Sequence, residues 1–308
     1  MDKDKLIKFI KLGRIHFILG GFLFFCLGAL LAIVMGAKFN LNQFIFGYSI
    51  LLAAHISLNY SNEYFDLEAD KYCKPTIFAG GSGILINNPE LRVIAKWIGI
   101  CSLFISLILS IIFIYVYSFP GYFFLLILFA NFLAFFYTAP PIKMSYNGFG
   151  EIATILSGFV MPAIGYFALM GKLDIYFLIF SIPLMIYQML FINAVEIPDL
   201  EADILGGKKS WITSYGRGFG FKIILISSLL GTLSFFFISL TNIYSISLNF
   251  ELITLLSLIP LFIAIWSFFK KSEDRKIATN LVNKNLMALF ILGITINCYF
   301  IYKLFLNI

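Results

Sequence analysis

Nine stretches of about 18 to 22 residues contain no Asp, Glu, Lys or Arg, and they decide what this chain can fold into. A bilayer core is crossed by about 20 apolar residues in a helix, which satisfies its own backbone hydrogen bonds. The sequence therefore predicts an all-α integral membrane protein with nine transmembrane helices. The predicted spans are residues 15–36, 41–61, 97–117, 120–139, 152–171, 175–195, 223–243, 252–269 and 285–302.

The composition supports a membrane protein, and the uncharged spans disfavour one functional class of membrane proteins. Hydrophobic residues make up 61% of the chain and charged residues 12%, whereas soluble domains are about half apolar and a quarter charged. Because the predicted spans hold no ionisable carboxylate, they argue against a proton-coupled transporter with a buried acidic relay.

Basic residues are distributed very unequally between the two sides of the membrane. The N-terminal segment and the loops after spans two, four, six and eight carry 19 Lys and Arg, and the other side carries 3. The positive-inside rule then predicts a cytoplasmic N-terminus and cytoplasmic active-site loops, in the cell membrane. The net charge of +6 reflects this topology and gives no reason to expect a nucleic acid partner, although a basic face attracts anionic membrane lipids and substrates.

The pentapeptide Asp-Leu-Glu-Ala-Asp occurs twice, at 66–70 and at 199–203. The copies follow spans two and six, so an even number of spans separates them and both face the same side. An internal duplication of this kind predicts a parallel four-plus-four helix repeat plus one helix. We expect a single domain over 1–308, with a first repeat at about 12–143, a second at about 150–270 and the ninth helix at about 285–302.

Each copy places oxygen ligands at helical spacing. Asn62, Asp66 and Asp70 share one helix face, and Asp199 and Asp203 repeat the register, with Glu196 in the place that Glu63 holds in the first copy. Carboxylates in this arrangement suit Mg²⁺, which keeps coordination sites free for phosphate oxygens. Pro198 should interrupt span six, with the helix restarting at Asp199.

Two interpretations of these acidic segments compete. One cluster beside a membrane would most simply be solvated loop charge. Like charges at i, i+4 repel, however, so their repetition at two span ends favours a compensating cation. Lys71 and Lys74 follow the first copy and Lys208 and Lys209 the second; the positive-inside rule explains their presence, but their adjacency to the acids suits a magnesium-bound diphosphate.

Four blocks in order resemble the UbiA superfamily of intramembrane prenyltransferases, most closely its menaquinone-type branch. NEYFDLEAD (62–70) resembles the first motif of the family, and EIPDLEADILGGKKS (196–210) is similar to the second. YTAPPIKMSYNGFGE (137–151) resembles the family's Tyr-Ser-x-Pro-Pro stretch, and GRIHF (13–17) the arginine that opens span one. The resemblance covers the whole chain.

The resemblance implies a set of site residues. It implies a magnesium diphosphate held by Asn62, Asp66, Asp70, Asp199 and Asp203, with basic groups at Arg14, Lys143 and Lys208; adjacency to the first motif adds Lys71. It implies a reacting centre lined by Tyr137 and Thr138, where Thr replaces the usual Ser, with Asp66 and Asp199 essential for catalysis. Glu196 stands where relatives often carry Asn or Asp, and we include it as a further metal ligand.

The implied function is Mg²⁺-dependent transfer of a polyprenyl group from its diphosphate to an aromatic quinone precursor such as a dihydroxynaphthoate. FAGGSGIL (78–85) resembles a block of naphthoate-type members and predicts a cap over the site or, more simply, a flexible turn. A second possibility within the fold is transfer to a glyceryl phosphate in ether lipid synthesis. From another class, a divalent-cation or small-molecule transporter would use the same carboxylates.

Overall fold

A computed structural model describes residues 3–306, with the exception of 75, 77, 242 and 245–247. Within those residues the chain is helical and contains no strand. The α-helices are, in chain order, α1 (Lys3–Leu12), α2 (Ile15–Val34), α3 (Leu41–Phe65), α4 (Leu67–Asp70), α5 (Ile84–Asn87), α6 (Arg92–Tyr117), α7 (Tyr122–Phe135), α8 (Gly150–Met170), α9 (Ile175–Glu196), α10 (Leu200–Leu205), α11 (Trp211–Leu240), α12 (Phe250–Phe269) and α13 (Arg275–Leu306).

Eight helical segments in the described part of the chain are long and apolar enough to cross a membrane. They correspond to eight of the nine predicted spans. The remaining span, 120–139, contains α7, an apolar helix of 14 residues that rises about 21 Å, less than the roughly 30 Å of a bilayer core. Several helices extend past their predicted windows, as α13 does, because charged residues are good helix formers outside the apolar layer.

The outer surface of the helix bundle is strongly apolar. Leu125, Leu255 and Phe262 each expose more than 60% of their surface. Exposed apolar side chains on successive helices would be costly in water and are favourable against lipid. The protein is therefore an integral membrane protein.

Helices α2 and α8 cross at very short range in the middle of the bundle. A Cβ atom at Gly28 would lie 1.8 Å from the Pro162 carbonyl oxygen, and one at Gly165 would lie 2.0 Å from that of Phe25. Glycine permits this backbone approach, as is common between membrane helices. The crossing fixes the helices that line the cavities described below.

Both acidic segments lie where a long helix breaks. Helix α3 ends at Phe65 and α4 begins at Leu67, so the predicted unbroken helix over Asn62, Asp66 and Asp70 is wrong, because Asp66 lies at a bend between two helices. The backbone bonds from Asp66 N to Asn62 O and from Asp70 N to Asp66 O persist, and all three side chains line one cavity. The interruption predicted at Pro198 is confirmed, because α9 ends at Glu196 and a 3-10 turn covers Ile197–Asp199. The helix restarts at Leu200, one residue later than predicted, since Asp199 occupies the cap position.

Candidate active site

The two acidic segments meet at one end of the bundle, around a polar cavity of about 100 Å³. A Cβ atom at Gly206 would lie 2.6 Å from the Cβ of Ala69, so the short helices that carry the two copies pack directly against each other. All four aspartates, Asp66, Asp70, Asp199 and Asp203, line the cavity. Each exposes only 6 or 7% of its surface.

Lys208 bridges the two copies. Its Nζ lies 3.1 Å from Asp66 Oδ2 and 3.4 Å from Asp203 Oδ1. The preceding glycines make this possible, because Gly206 allows close packing on Ala69 and Gly207 adopts φ +76°, a left-handed conformation that favours glycine. Burial lowers the pKa of the Lys208 ammonium, but the carboxylates of Asp66 and Asp203 outweigh it and raise the pKa well above its ordinary value.

The cluster carries more negative charge than its lysine balances. Burial and the nearby Asp66 carboxylate raise the pKa of Asp70 to about 7. Without a further cation, Asp70 thus holds a proton close to neutral pH. A bound divalent cation would favour the charged form of all four carboxylates.

The glycine-rich segment 78–83, which we call the strap, crosses the carboxylates. The Gly80 N–H donates to Asp199 Oδ2, and Arg14 donates to the Gly80 carbonyl oxygen at 2.8 Å. The Ser82 N–H and hydroxyl both donate to Glu63, at 2.9 and 2.5 Å. The strap thus connects the helix breaks of both copies, in agreement with the cap expected from the sequence.

Hydroxyl groups orient the first copy. Tyr146 donates to Asp66 Oδ1 at 2.9 Å, and the fully buried Thr138 donates to Asn62 Oδ1 at 2.8 Å. Tyr137 lines the polar cavity and the apolar cavity beyond it, whereas Thr138, which was also predicted to line the reacting centre, lines neither and contacts Asn62 instead. Sequence reasoning missed Tyr146, although it lies inside the block 137–151, because its spacing from Asp66 is set by the tertiary fold.

Two guanidinium groups hold the break in the second copy. Arg217 Nε donates to the Ile197 carbonyl at 3.1 Å, and Arg275 Nε to the Pro198 carbonyl at 2.7 Å. Arg217 also forms a two-pronged ion pair with Glu201 at 2.6 Å. Arg275 reaches within 3.9 Å of Asp199 Oδ1. Neither arginine was predicted, since no motif spacing connects them to residues so distant in the chain.

Lys71 and Lys143, which were predicted to contact the diphosphate, do not line either cavity. The Lys71 ammonium is exposed and pairs with Glu68 at 2.6 Å, because that partner lies one helical turn away. The Lys143 ammonium lies 5.1 Å from the centre of the Tyr146 ring. Arg14, Lys208 and Glu196 do line the polar cavity, as predicted.

The donor set was tested against the predicted magnesium ion. No three His, Cys, Asp or Glu side chains in the described chain converge closely enough to hold a metal by themselves. Asp199 Oδ1 is buried and has no hydrogen-bond partner among the described residues, and the polar cavity of about 100 Å³ leaves space beside the carboxylates. Paired carboxylates with a free oxygen and open space beside them fit Mg²⁺, which takes one or two carboxylates and completes its shell with phosphate oxygens.

The polar cavity adjoins an apolar cavity of about 290 Å³ that extends between the membrane-spanning helices. Tyr137 and Asn62 line both, as do Arg14, Ile192 and Val195. The apolar cavity is walled mainly by Leu, Phe, Ile and Ala side chains of α2, α3, α8, α9 and α13. A molecule with an anionic head and a long hydrocarbon tail would match this pair of cavities.

Comparison with models of known protein families shows which family the chain belongs to. The model of the UbiA prenyltransferase family matches residues 22–292. The chain belongs to the UbiA prenyltransferase family. This membership confirms the family predicted from the four sequence blocks, and with it the prediction that the chain is a prenyltransferase.

Solved structures of UbiA homologues share the fold of this chain. One from Aeropyrum pernix K1, in the apo state, has a TM-score of 0.68 at 15% identity and covers 91% of this chain and 98% of its own. One from Archaeoglobus fulgidus, bound to GPP and Mg²⁺, has a TM-score of 0.58 at 16% identity over 93% of this chain and 99% of its own. A structure of a UbiA homologue from Archaeoglobus fulgidus bound to DMAPP and Mg²⁺ has a TM-score of 0.57 at 16% identity, and the match covers 90% of this chain and 95% of the other. Comparison with curated protein sequences gave no significant match.

Proposed function

We propose that this UbiA family member transfers a polyprenyl group from its diphosphate to an aromatic quinone precursor, with Mg²⁺ as cofactor. The observation that carries the proposal is the junction of two cavities, one lined by four buried aspartates and the other by hydrocarbon side chains. The Archaeoglobus homologue bound to GPP and Mg²⁺ supports a prenyl diphosphate as donor.

The acidic residues would hold the metal and the basic residues the diphosphate. Asp66, Asp70, Asp199 and Asp203 provide the oxygen ligands, with Asn62 and Glu196 beside them at the cavity wall. Arg14 and Lys208 line the same cavity and would take the remaining phosphate charge. When bound, Mg²⁺ neutralises the charge that develops on the departing diphosphate.

The neighbouring residues protect and orient the reacting carbon. Loss of diphosphate from an allylic donor leaves a delocalised carbocation at the junction of the cavities, where the face of Tyr137 can stabilise it by a cation–π contact. Thr138, which follows Tyr137 in the chain, is fully buried and fixes the Asn62 amide by a hydrogen bond. The strap covers the carboxylates and would limit the access of water, which otherwise captures the cation.

The charge of the cavity walls favours an aromatic acceptor over a glyceryl phosphate. Arg14 and Lys208 are the Arg and Lys side chains among the described cavity-lining residues, and both line the polar cavity with the carboxylates that would hold the donor. A second phosphate substrate would call for further basic groups. An aromatic acceptor needs mainly an apolar wall with a few hydrogen-bonding groups.

We further propose that the motif end of the bundle faces the cytoplasm of a cell membrane, on the strength of the unequal distribution of Lys and Arg. The chain would act as one domain, in which each of the two repeats supplies one acidic copy to a shared site. Diphosphate donors made in the cytoplasm would then reach the polar cavity directly.

The test is an assay of purified protein with labelled geranylgeranyl diphosphate, Mg²⁺ and a panel of acceptors. We expect a prenylated aromatic product that requires Mg²⁺ and disappears in EDTA. Transfer to glyceryl phosphate alone would overturn the acceptor class. An absence of every prenylated product from active, folded protein would overturn the proposed function.

A further inference from the structure

The apolar cavity contains a buried amide that neither the donor nor the proposed chemistry uses. Gln188, on α9, lines this cavity and exposes 5% of its surface. Its Oε1 atom is buried and has no hydrogen-bond partner among the described residues. Leaving a buried acceptor unpaired costs folding free energy, so such a group within a membrane bundle points to a ligand.

The position of Gln188 is set by its neighbours. Gln188, Phe191, Ile192 and Val195 form one stripe of α9 that faces the cavity, at the spacing of a helix face. On the adjacent helix α8, a Cβ at Gly158 would lie 2.8 Å from Gln188 Cγ. The glycine therefore leaves the space in which the glutamine side chain lies.

Two hydroxyl groups of α8 that line the same cavity already donate their protons within that helix. Ser157 Oγ donates to the Thr154 carbonyl at 2.6 Å, and Thr154 Oγ1 donates to the Gly150 carbonyl at 3.1 Å. Both residues line the cavity, and their oxygens remain available as acceptors. These hydroxyl oxygens are thus acceptors, and no described residue donates to Gln188 Oε1.

The missing hydrogen-bond donor limits the chemical class of the ligand. A prenyl tail carries no hydrogen-bond donor. Arg14 is the charged side chain among the described residues that line the apolar cavity. A ligand with a positively charged hydrogen-bond donor, such as an ammonium group, would therefore find no carboxylate there to pair with. A neutral hydroxyl group fits both requirements.

We propose that Gln188, with Ser157 of the adjacent helix α8 in the same cavity wall, forms the subsite that binds a hydroxyl group of the acceptor ring; this rests on the proposed function. Val195 lines both cavities and lies seven residues along α9, about 10 Å from Gln188 along the axis. A ring held at Gln188 therefore extends towards the junction where the donor reacts. Gln188 would determine which acceptors bind and would not contact the diphosphate.

The test compares Gln188→Met with the native protein, since methionine has a similar length but no hydrogen-bonding group. With saturating geranylgeranyl diphosphate and a hydroxylated naphthalene acceptor, we expect the acceptor KM to rise about tenfold. The donor KM should stay within twofold. Asn131→Leu is the matched control, because Asn131 is another buried amide with an unpaired Oδ1 but lies outside both cavities, and it should leave the acceptor KM unchanged.

Three results would overturn the subsite and leave the proposed function intact. An acceptor KM within twofold of native, or a change confined to the donor KM, would place Gln188 away from the acceptor. An equal shift in Asn131→Leu would make the effect one of general packing. Should Gln188→Met not fold, Gln188→Asn retains the amide one methylene short and should raise the acceptor KM in the same way. A native protein that transfers nothing to any aromatic acceptor would instead overturn the proposed function, and the subsite with it.

Discussion

At the scale of single residues, the site is a balance between buried carboxylates and a few cations. Lys208 lies between Asp66 and Asp203, while Asp199 Oδ1 and Glu196 Oε2 have no hydrogen-bond partner among the described residues and Arg275 approaches Asp199 Oδ1 only to 3.9 Å. Burying carboxylates with so few partners is costly, so a ligand that supplies positive charge would stabilise the arrangement. Magnesium with a diphosphate would do so.

Replacement of Asp199 by Asn should abolish turnover while the protein stays folded. The substitution keeps the side-chain volume and an acceptor for the Gly80 N–H, but it removes the charge that a metal requires. Activity should fall more than about 100-fold, since even groups that only orient metal ligands contribute 10–100-fold. Prenyl transfer and thermal unfolding in detergent would be measured together. Glu68→Gln, an exposed acid of the first copy, is the control and should retain activity.

The two lysines that follow the acidic copies should behave differently. Lys208→Met removes an ammonium in contact with Asp66 and Asp203, so we expect the KM for the donor to rise at least tenfold, the value of a lost charge-assisted bond of about 1.5–3 kcal/mol. Lys71→Met removes a solvated ammonium and should leave the donor KM unchanged. Equal effects of the two substitutions would contradict the assignment of Lys208 to the diphosphate.

At the scale of helices, the sequence predicts where a helix breaks better than what holds the break. Pro198 lacks an N–H, so the interruption of α9 was predictable. The carbonyl groups that the break leaves free are bound by Arg217 and Arg275, whose contacts depend on the folding of distant segments. The bend at Asp66 was not predictable either, because no proline or glycine marks it.

Arg217 should stabilise the second break more than its ion pair alone would. In Arg217→Met the carbonyls of Ile197 and Glu273 lose their donors, and we expect a loss of about 2 kcal/mol in the free energy of unfolding together with a higher Mg²⁺ requirement. Glu201→Gln keeps both carbonyl bonds and removes only a half-exposed charge, so its effect should be smaller. Thermal unfolding and magnesium titration of activity would distinguish the two. Equal losses would show that the ion pair, and not the carbonyl bonds, stabilises the break.

At the scale of the whole molecule, two copies of one acidic segment form a single site at one end of a membrane bundle. The apolar spans and the duplicated motif made the helical membrane fold and the pairing of the copies predictable, because both follow from the number and polarity of the spans. The short helix α7 and the strap's hydrogen bonds could not be predicted, since they depend on packing between segments far apart in sequence.

Both copies should be accessible from the same aqueous side. In a variant without native cysteines, Glu68→Cys and Leu205→Cys place thiols at exposed positions of the first and second copy. A membrane-impermeant maleimide should label both from the same face of sealed vesicles, the cytoplasmic one by the distribution of Lys and Arg. Labelling from opposite faces would contradict the shared site.

The account as a whole assigns the donor's head to the polar cavity and its tail to the apolar one, and the affinities of donors of different length test this most directly. Dissociation constants would be measured for C10, C15 and C20 diphosphates, each with and without Mg²⁺. Burial gains about 0.8 kcal/mol per CH₂, so affinity should rise at least tenfold from C10 to C15 and level off once the tail reaches the cavity wall or lipid. The Mg²⁺ requirement should be the same for all three. Equal dissociation constants, or a metal requirement that changes with tail length, would contradict the account.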